Sequence, residues 1–237
     1  MARGAAGRAS RSMRVAWNHL PLSALEIKRG VYAGSRGWIL TGFGIWQHRV
    51  NQINLGTMLP ALRAQTSDAH AALDASFGSL SLDQRADYVR FLKAHAAGLA
   101  PLFDIYLDFV TRELAVPCPD FMGMLAEDLT GLGEDTAQLP RLSVPCDLDA
   151  AGVAYVVTGS RLGLTMIRRG GYWGRENGLP SRYMEDDTGL LVWKALLPWM
   201  KNRSTSPAEE ASAARAALAA FDTFGAAFAA NAPACVH

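Results

Sequence analysis

Apolar residues recur at intervals of three and four along most of this chain, and this spacing constrains the fold more than any other feature. In the segment from Leu59 to Phe77, the apolar or small positions at this spacing are Leu59, Leu62, Thr66, Ala69 and Leu73. Side chains spaced in this way lie on one face of an α-helix. Turn pairs with alternating strands are absent, and the one β-branched run, 153–158, lies inside a longer helical period. The sequence therefore predicts an all-α protein.

Start and stop signals divide residues 58–237 into six or seven helices. Ser81 and Gln84 have the spacing of a capping box, in which the serine oxygen accepts a backbone N–H that the helix leaves unpaired. Ser206 and Glu209 have the same spacing and predict the start of the last helix. This number of helices, without an internal repeat, is typical of a compact single-domain helical bundle.

Charge divides the chain near residue 57. Residues 1–57 carry eight Lys or Arg and one acid, a net charge of +7, whereas the remaining 180 residues carry −6. The total of +1 argues against a protein built as a whole to bind a nucleic-acid backbone, and no nucleic-acid partner is expected. Because Met58 follows the basic segment, we expect residues 1–57 to be a disordered extension or a mis-assigned start, and residues 58–237 to be the globular domain.

Cysteine spacing and hydropathy indicate a reducing, aqueous environment. Cys118, Cys146 and Cys235 are odd in number and lack Cys-x-x-Cys spacing, which argues against a zinc site or a complete disulfide set. A membrane span needs about 20 consecutive apolar residues, and the best candidate, 150–167, contains Arg161. We therefore expect a cytoplasmic protein without a membrane span.

Two glycines, Gly159 and Gly163, lie inside a helix predicted from about Leu148 to Arg169. A glycine in a helix interior costs roughly 1 kcal/mol relative to alanine, so the pair needs a structural reason. Four residues make just over one turn, and the two bare positions therefore open a groove on one face. Either another helix packs closely there, or a planar ligand approaches the backbone.

His70 is the histidine whose neighbours best suit a metal ligand. Asp74, four residues later, can accept a hydrogen bond from the ring nitrogen that faces away from a metal, as metal-bound histidines usually require. Arg63, seven residues earlier on the same face, can meet a carboxylate at the edge of a ligand. His95 is the rival ligand, but Leu99 occupies its fourth following position, so we expect His95 to be a structural or surface residue.

Two segments resemble bacterial, biliverdin-producing heme oxygenases. Residues 62–74, Leu-Arg-Ala-Gln-Thr-Ser-Asp-Ala-His-Ala-Ala-Leu-Asp, resemble the proximal helix of that family, and residues 155–163, Tyr-Val-Val-Thr-Gly-Ser-Arg-Leu-Gly, resemble its distal helix. The order and separation of the two segments also agree with the family, and the resemblance extends over approximately residues 59–230. It implies an all-α, heme oxygenase-like fold that holds heme between the two helices.

The resemblance implies roles for individual residues. His70 would be the axial iron ligand, and Asp74 would be the acceptor behind it. The residues that bind the propionates of the cofactor would be Arg63, Tyr155 and Lys194. The catalytic residues on the distal helix would be Gly159, Ser160 and Gly163, where the glycines admit close approach and the serine supplies a polar group.

The implied activity is the oxidative cleavage of heme, as both substrate and cofactor, to biliverdin, CO and ferrous iron with O₂. Electrons would come from a separate redox protein, ferredoxin or another reductase, because the sequence lacks a flavin or nicotinamide fingerprint. A bilin-binding photoreceptor is one recipient of the product that this function would allow, and iron acquisition is equally compatible.

Two positions depart from the family pattern. Leu164 stands where Gly or Ala is frequent, and Thr158 stands where Glu is frequent in bacterial members. The side chain of Leu164 would either crowd the distal pocket or pack outward. The alternatives to the enzyme are therefore a non-catalytic heme-binding or heme-transfer protein with the same fold, and a structural helical interaction protein.

Overall fold

The computed structural model describes residues 58–179 and 181–232, so the predicted N-terminal extension lies outside the described residues. All regular secondary structure in these two ranges is helical. The seven longer helices are α1 (Met58–Phe77), α2 (Arg85–Leu99), α3 (Phe103–Arg112), α4 (Phe121–Gly131), α5 (Ala150–Gly170), α8 (Gly189–Asn202) and α9 (Pro207–Ala230). Two single turns, α6 (Trp173–Glu176) and α7 (Arg182–Glu185), interrupt the segment between α5 and α8. The all-α prediction is confirmed.

Side-chain caps explain where several helices begin. Ser206 and Glu209 form the predicted capping box, since Glu209 N donates to Ser206 Oγ at 3.3 Å and Ser206 N donates to the Glu209 carboxylate at 2.8 Å. The capping box predicted at Ser81 was wrong. There α2 begins at Arg85, and the backbone N–H of Ser81 donates to Asp87 Oδ2 at 2.7 Å. In a capping box the amide oxygen of Gln84 would accept this N–H, but a carboxylate accepts more strongly than an amide, so the acid in the first turn takes the contact.

Helix α9 lies at the centre of the fold because it packs against α1, α2 and α5. Its face toward α5 carries small residues, among them Ala213 and Ala217, both fully buried. Gly152 of α5 meets this face so closely that a Cβ at its position would collide with the carbonyl oxygen of Ala213 and lie 2.9 Å from Ala217 N. The N-terminal end of α5 is therefore fixed by backbone contact.

A buried ion pair fixes the opposite flank of α5. Arg161, only 2% exposed, donates to Asp186 Oδ2 at 3.2 Å and to the carbonyl oxygen of Tyr183 at 2.7 Å. Its guanidinium lies between the rings of Phe121 and Tyr183, at 4.6 and 4.5 Å from their centroids.

Within the described ranges, α5 is also the one helix long and apolar enough to cross a membrane. Half of its apolar 18-residue segment is buried inside the protein.

Candidate functional site

A cavity of about 410 Å³ lies between α1 and α5. Residues of α2, α8 and α9 complete its wall, so five of the longer helices contribute to it. Pockets for small molecules commonly measure roughly 300–1,000 Å³ and combine an apolar lining with a few polar groups. The lining has this character, because histidine, arginine, serine and tyrosine side chains occur among mostly apolar ones.

His70 and Asp74 face this cavity from α1, and their Nδ1 and Oδ2 atoms are 3.3 Å apart. Burial lowers the pKa of His70 and raises the pKa of Asp74 to about 6. The imidazole is therefore neutral at neutral pH. When Nδ1 carries the proton and donates to Asp74, Nε2 carries the lone pair that a metal ion accepts. The ring of Phe221 packs edge-on against the imidazole, with a centroid distance of 5.5 Å.

The wall opposite His70 is the middle of α5, where Gly159, Ser160 and Gly163 all line the cavity. Gly159 is buried, yet no described heavy atom outside its own helical turns lies within 4 Å of the position that its Cβ would occupy. None of the other described helices therefore packs closely on Gly159, and its backbone borders open space. Ser160 Oγ donates to the carbonyl oxygen of Val157 at 2.8 Å, which leaves the hydroxyl oxygen able to accept a hydrogen bond.

Arg63 and Tyr155 meet at one edge of the cavity. Arg63 is exposed, whereas Tyr155 is half-buried on α5. Burial raises the pKa of Tyr155, and the neighbouring side chains of Thr66 and Arg63 act in the opposite direction and lower it. A cation and a phenol thus stand together at the exposed edge, where they suit a carboxylate group of a ligand.

Lys194 does not line the cavity. It is exposed on α8, and the cavity is lined instead by the side chain before it, Trp193. The suggested contact between Lys194 and a propionate stays a prediction.

His95 also reaches the cavity, but it is embedded in the core. It is 7% exposed, its Nδ1 lies 2.9 Å from the carbonyl oxygen of Phe91, and aromatic rings surround it. Burial lowers its pKa to about 4, so its neutral form donates to Phe91. These contacts are those of a structural core histidine.

Several cavity residues were not predicted. The apolar lining includes aromatic side chains of three helices, Phe91, Trp193, Phe221 and Phe224. Their helical spacing marks them as buried, but it does not separate a cavity wall from a packed core. Leu164 is the departure from the family pattern that the structure places at the cavity, where it is 3% exposed.

The donor set fits heme better than a bare metal ion. In the described parts of the chain, no group of three or more His, Cys, Asp or Glu side chains is arranged to hold a metal. A porphyrin supplies the equatorial ligands of its own iron and needs from the protein only an axial ligand, such as histidine. His70 and a cavity bordered by bare backbone at Gly159 meet this requirement.

The fold and the site together define a helical bundle with a cavity between a histidine-bearing helix and a glycine-bearing helix. Among solved structures, the chain is similar to the NO- and CO-bound heme oxygenase from Neisseria meningitidis, with a TM-score of 0.57 and 22% sequence identity. The match covers 76% of this chain and 94% of the Neisseria chain. At this identity the similarity establishes the fold, which is heme oxygenase-like. No protein-family model and no curated protein sequence matches the chain.

Proposed function

We propose that this protein is a heme oxygenase that binds heme between α1 and α5 and cleaves it to biliverdin, CO and ferrous iron. The observation that carries the proposal is the pairing of His70 and Asp74 on one wall with bare backbone at Gly159 on the other. Bound heme supplies the iron that activates O₂, and it is itself the substrate that is oxidised. The protein's own groups bind and orient that substrate and exclude bulk water.

His70 would hold the heme iron through its imidazole, and Asp74 would prepare the ring for that role. The carboxylate accepts the Nδ1 proton, which fixes the tautomer and directs the basic Nε2 away from Asp74. Burial keeps the imidazole neutral at neutral pH, as a ligand to iron must be.

Gly159 and Gly163 let the flat face of the substrate lie close to the backbone of α5, and they leave room above it for O₂. Ser160 stands beside them, and its oxygen can accept a hydrogen bond from an ordered water. The apolar remainder of the wall excludes other water. At the exposed edge, Arg63 and Tyr155 bind the propionates, and Lys194 is the third group that the family resemblance suggests for this task.

The activity requires electrons from a second protein, and we propose ferredoxin or another reductase as the donor and the cytoplasm as the location. A bilin-binding photoreceptor is a proposed recipient of the product. Residues 58–237 are the proposed catalytic domain.

A second candidate function is heme binding or heme transfer without turnover. Leu164 favours it, because a buried isobutyl group lines the same wall as the distal glycines. The third reading, a helical interaction protein whose glycine face packs on another helix, has less support because Gly159 is buried and faces a cavity walled by five helices of this chain.

A two-step experiment on the purified full-length chain separates these functions. The protein is first titrated with hemin, and a reductant is then added in air with catalase present. We expect a saturable Soret band with equimolar hemin, then its loss with the appearance of biliverdin absorbance and release of CO. A stable complex that survives reduction supports heme binding without turnover. No Soret shift with hemin overturns both heme functions.

A matched pair of variants shows whether the cavity is the binding site. Gly159→Leu fills the open space beside α5 and is expected to abolish hemin binding. Gly225→Leu makes the same chemical change on α9. A Cβ at this position also meets no described atom outside its own helical turns, and Gly225 does not line the cavity. Equal hemin affinity in the two variants would contradict the proposed site.

A further inference from the structure

We infer that Leu164 is a specificity-determining residue that fixes the rotation of heme within its own plane, and so selects which edge of the macrocycle faces Ser160. The inference rests on the proposed function and extends it to the choice of the bond that is broken. It follows from the position of Leu164 on α5 and from its burial.

Side chains of two sizes line the cavity along α5. Gly159, Ser160 and Gly163 form a low stretch that the half-buried Leu162 interrupts, and Leu164 and Ile167 follow it toward the C-terminal end of the helix. Leu164 comes four residues after Ser160, so the two side chains are stacked one turn apart on the same flank. A flat ligand lying over the low stretch therefore meets the isobutyl group of Leu164 at its rim.

A heme held by His70 alone is free to rotate about the bond between its iron and the imidazole. Contacts at the rim of the macrocycle must therefore set the angle of this rotation. Arg63 is one such contact, but it is exposed, and its long side chain can follow a carboxylate through a range of positions. Leu164 differs because it is almost fully buried and packed against the core. A packed side chain cannot move aside without disturbing its neighbours. Leu164 is thus a stiffer restraint than Arg63.

The restraint has a chemical consequence. The rim of heme carries methyl and vinyl groups between its bridging carbons, and rotation by one position would drive a different substituent into Leu164. The orientation that avoids this clash decides which bridging carbon lies beside Ser160 and the bare backbone of Gly159. Leu164 accordingly selects the product isomer, whereas His70 and Gly159 determine whether heme binds at all.

The test compares Leu164→Ala with Met166→Ala, a change on the same helix at a half-buried residue outside the cavity lining. Proton NMR of the ferric cyanide complexes of the full-length chain reports the heme-methyl shifts, which depend on the angle between the macrocycle and the imidazole plane. We expect Leu164→Ala to change the shift pattern and to add resonances of a second orientation. We also expect its ratio of biliverdin isomers to change about tenfold. Met166→Ala is expected to match the wild-type protein in both respects.

Unchanged heme-methyl shifts and an unchanged isomer ratio in Leu164→Ala would overturn the inference. If that variant does not fold, Leu164→Ile keeps the volume of the side chain and moves its methyl groups, and an altered shift pattern is again expected. Failure of the proposed function has a different signature. A wild-type protein that binds no hemin overturns both, whereas one that binds hemin without producing biliverdin overturns the enzyme and leaves the NMR comparison to decide the role of Leu164.

Discussion

Two glycines on the same face of α5 have opposite surroundings. Gly152 touches the backbone of α9 so closely that a methyl group would collide with Ala213, whereas Gly159 has no described heavy atom outside its own helical turns within 4 Å of its Cβ position. Seven residues, or about 10 Å of helix, separate them. The α5 helix therefore contacts α9 at its N-terminal end and borders the cavity two turns later.

The comparison distinguishes glycines that hold a fold together from glycines that leave room for a ligand. We use the term packed region for two buried sites, the contact of Gly152 with Ala213 and Ala217 and the aromatic core around His95. The open region consists of Gly159, His70 and Asp74. Substitutions in the packed region should lower the free energy of unfolding. Substitutions in the open region should change hemin binding while leaving the fold intact.

Gly152→Ala is expected to have the largest effect. The added methyl group meets backbone atoms, which cannot rotate away, so we expect a loss of about 4 kcal/mol in the free energy of unfolding. Urea denaturation followed by circular dichroism measures it. A variant as stable as the wild-type protein would show that α5 and α9 are farther apart than described.

Acid should destabilise the packed region through His95. Its pKa is about 4 in the folded protein and 6.5 as the reference value, so the unfolded chain binds more protons than the folded protein between these pH values. Stability is therefore lost as pH falls from 6.5 to 4, by about 3 kcal/mol from this group. His95→Leu lacks the titrating group, and the difference between the two proteins in urea denaturation at pH 7 and pH 4.5 isolates the effect. Parallel pH dependence would contradict it.

Asp74→Asn is expected to weaken hemin binding about 10- to 100-fold, because the amide is a poorer acceptor for the Nδ1 proton of His70. The ligand-free variant should gain stability above pH 6. Burial raises the pKa of Asp74 to about 6, so its ionised form is disfavoured by the fold at higher pH. Hemin titration and urea denaturation at pH 8 measure the two effects. Loss of both affinity and stability would assign Asp74 to the packed region.

Gly159→Ala is expected to have the smallest effect on folding and the opposite sign to Gly152→Ala. The methyl group enters open space, so the better helix propensity of alanine should raise the free energy of unfolding by up to about 1 kcal/mol. Hemin affinity should fall, since the methyl group occupies the surface that the ligand approaches. Thermal denaturation and hemin titration on one preparation check both, and a destabilised variant would remove the distinction between the regions.

The parts of this structure that depend on local signals could be predicted from the sequence. The periodic apolar face of α1 and the cap formed by Ser206 and Glu209 involve residues within a few turns of one another. Ser81 was mispredicted because a second local acceptor, Asp87, competed for the same segment. At both Ser206 and Ser81 the outcome depends on short-range hydrogen bonds.

The candidate site required tertiary structure. Gly159 and Gly163 have the same spacing whether a helix or a ligand covers them, and the open space beside Gly159 depends on how the other helices are arranged around α5. Lys194 and Trp193 differ by one position, which is about 100° around a helix. A short sequence match is not accurate enough to decide which of the two faces the cavity.

The central claim is that His70 holds heme iron in the open region, and resonance Raman spectroscopy of the ferrous complex of the full-length chain tests it most directly. The iron–histidine stretching band is expected in the wild-type protein and in His95→Ala. It should be lost in His70→Ala and restored when imidazole is added to that variant. An unchanged band in His70→Ala, or loss of the band in His95→Ala alone, would contradict the account.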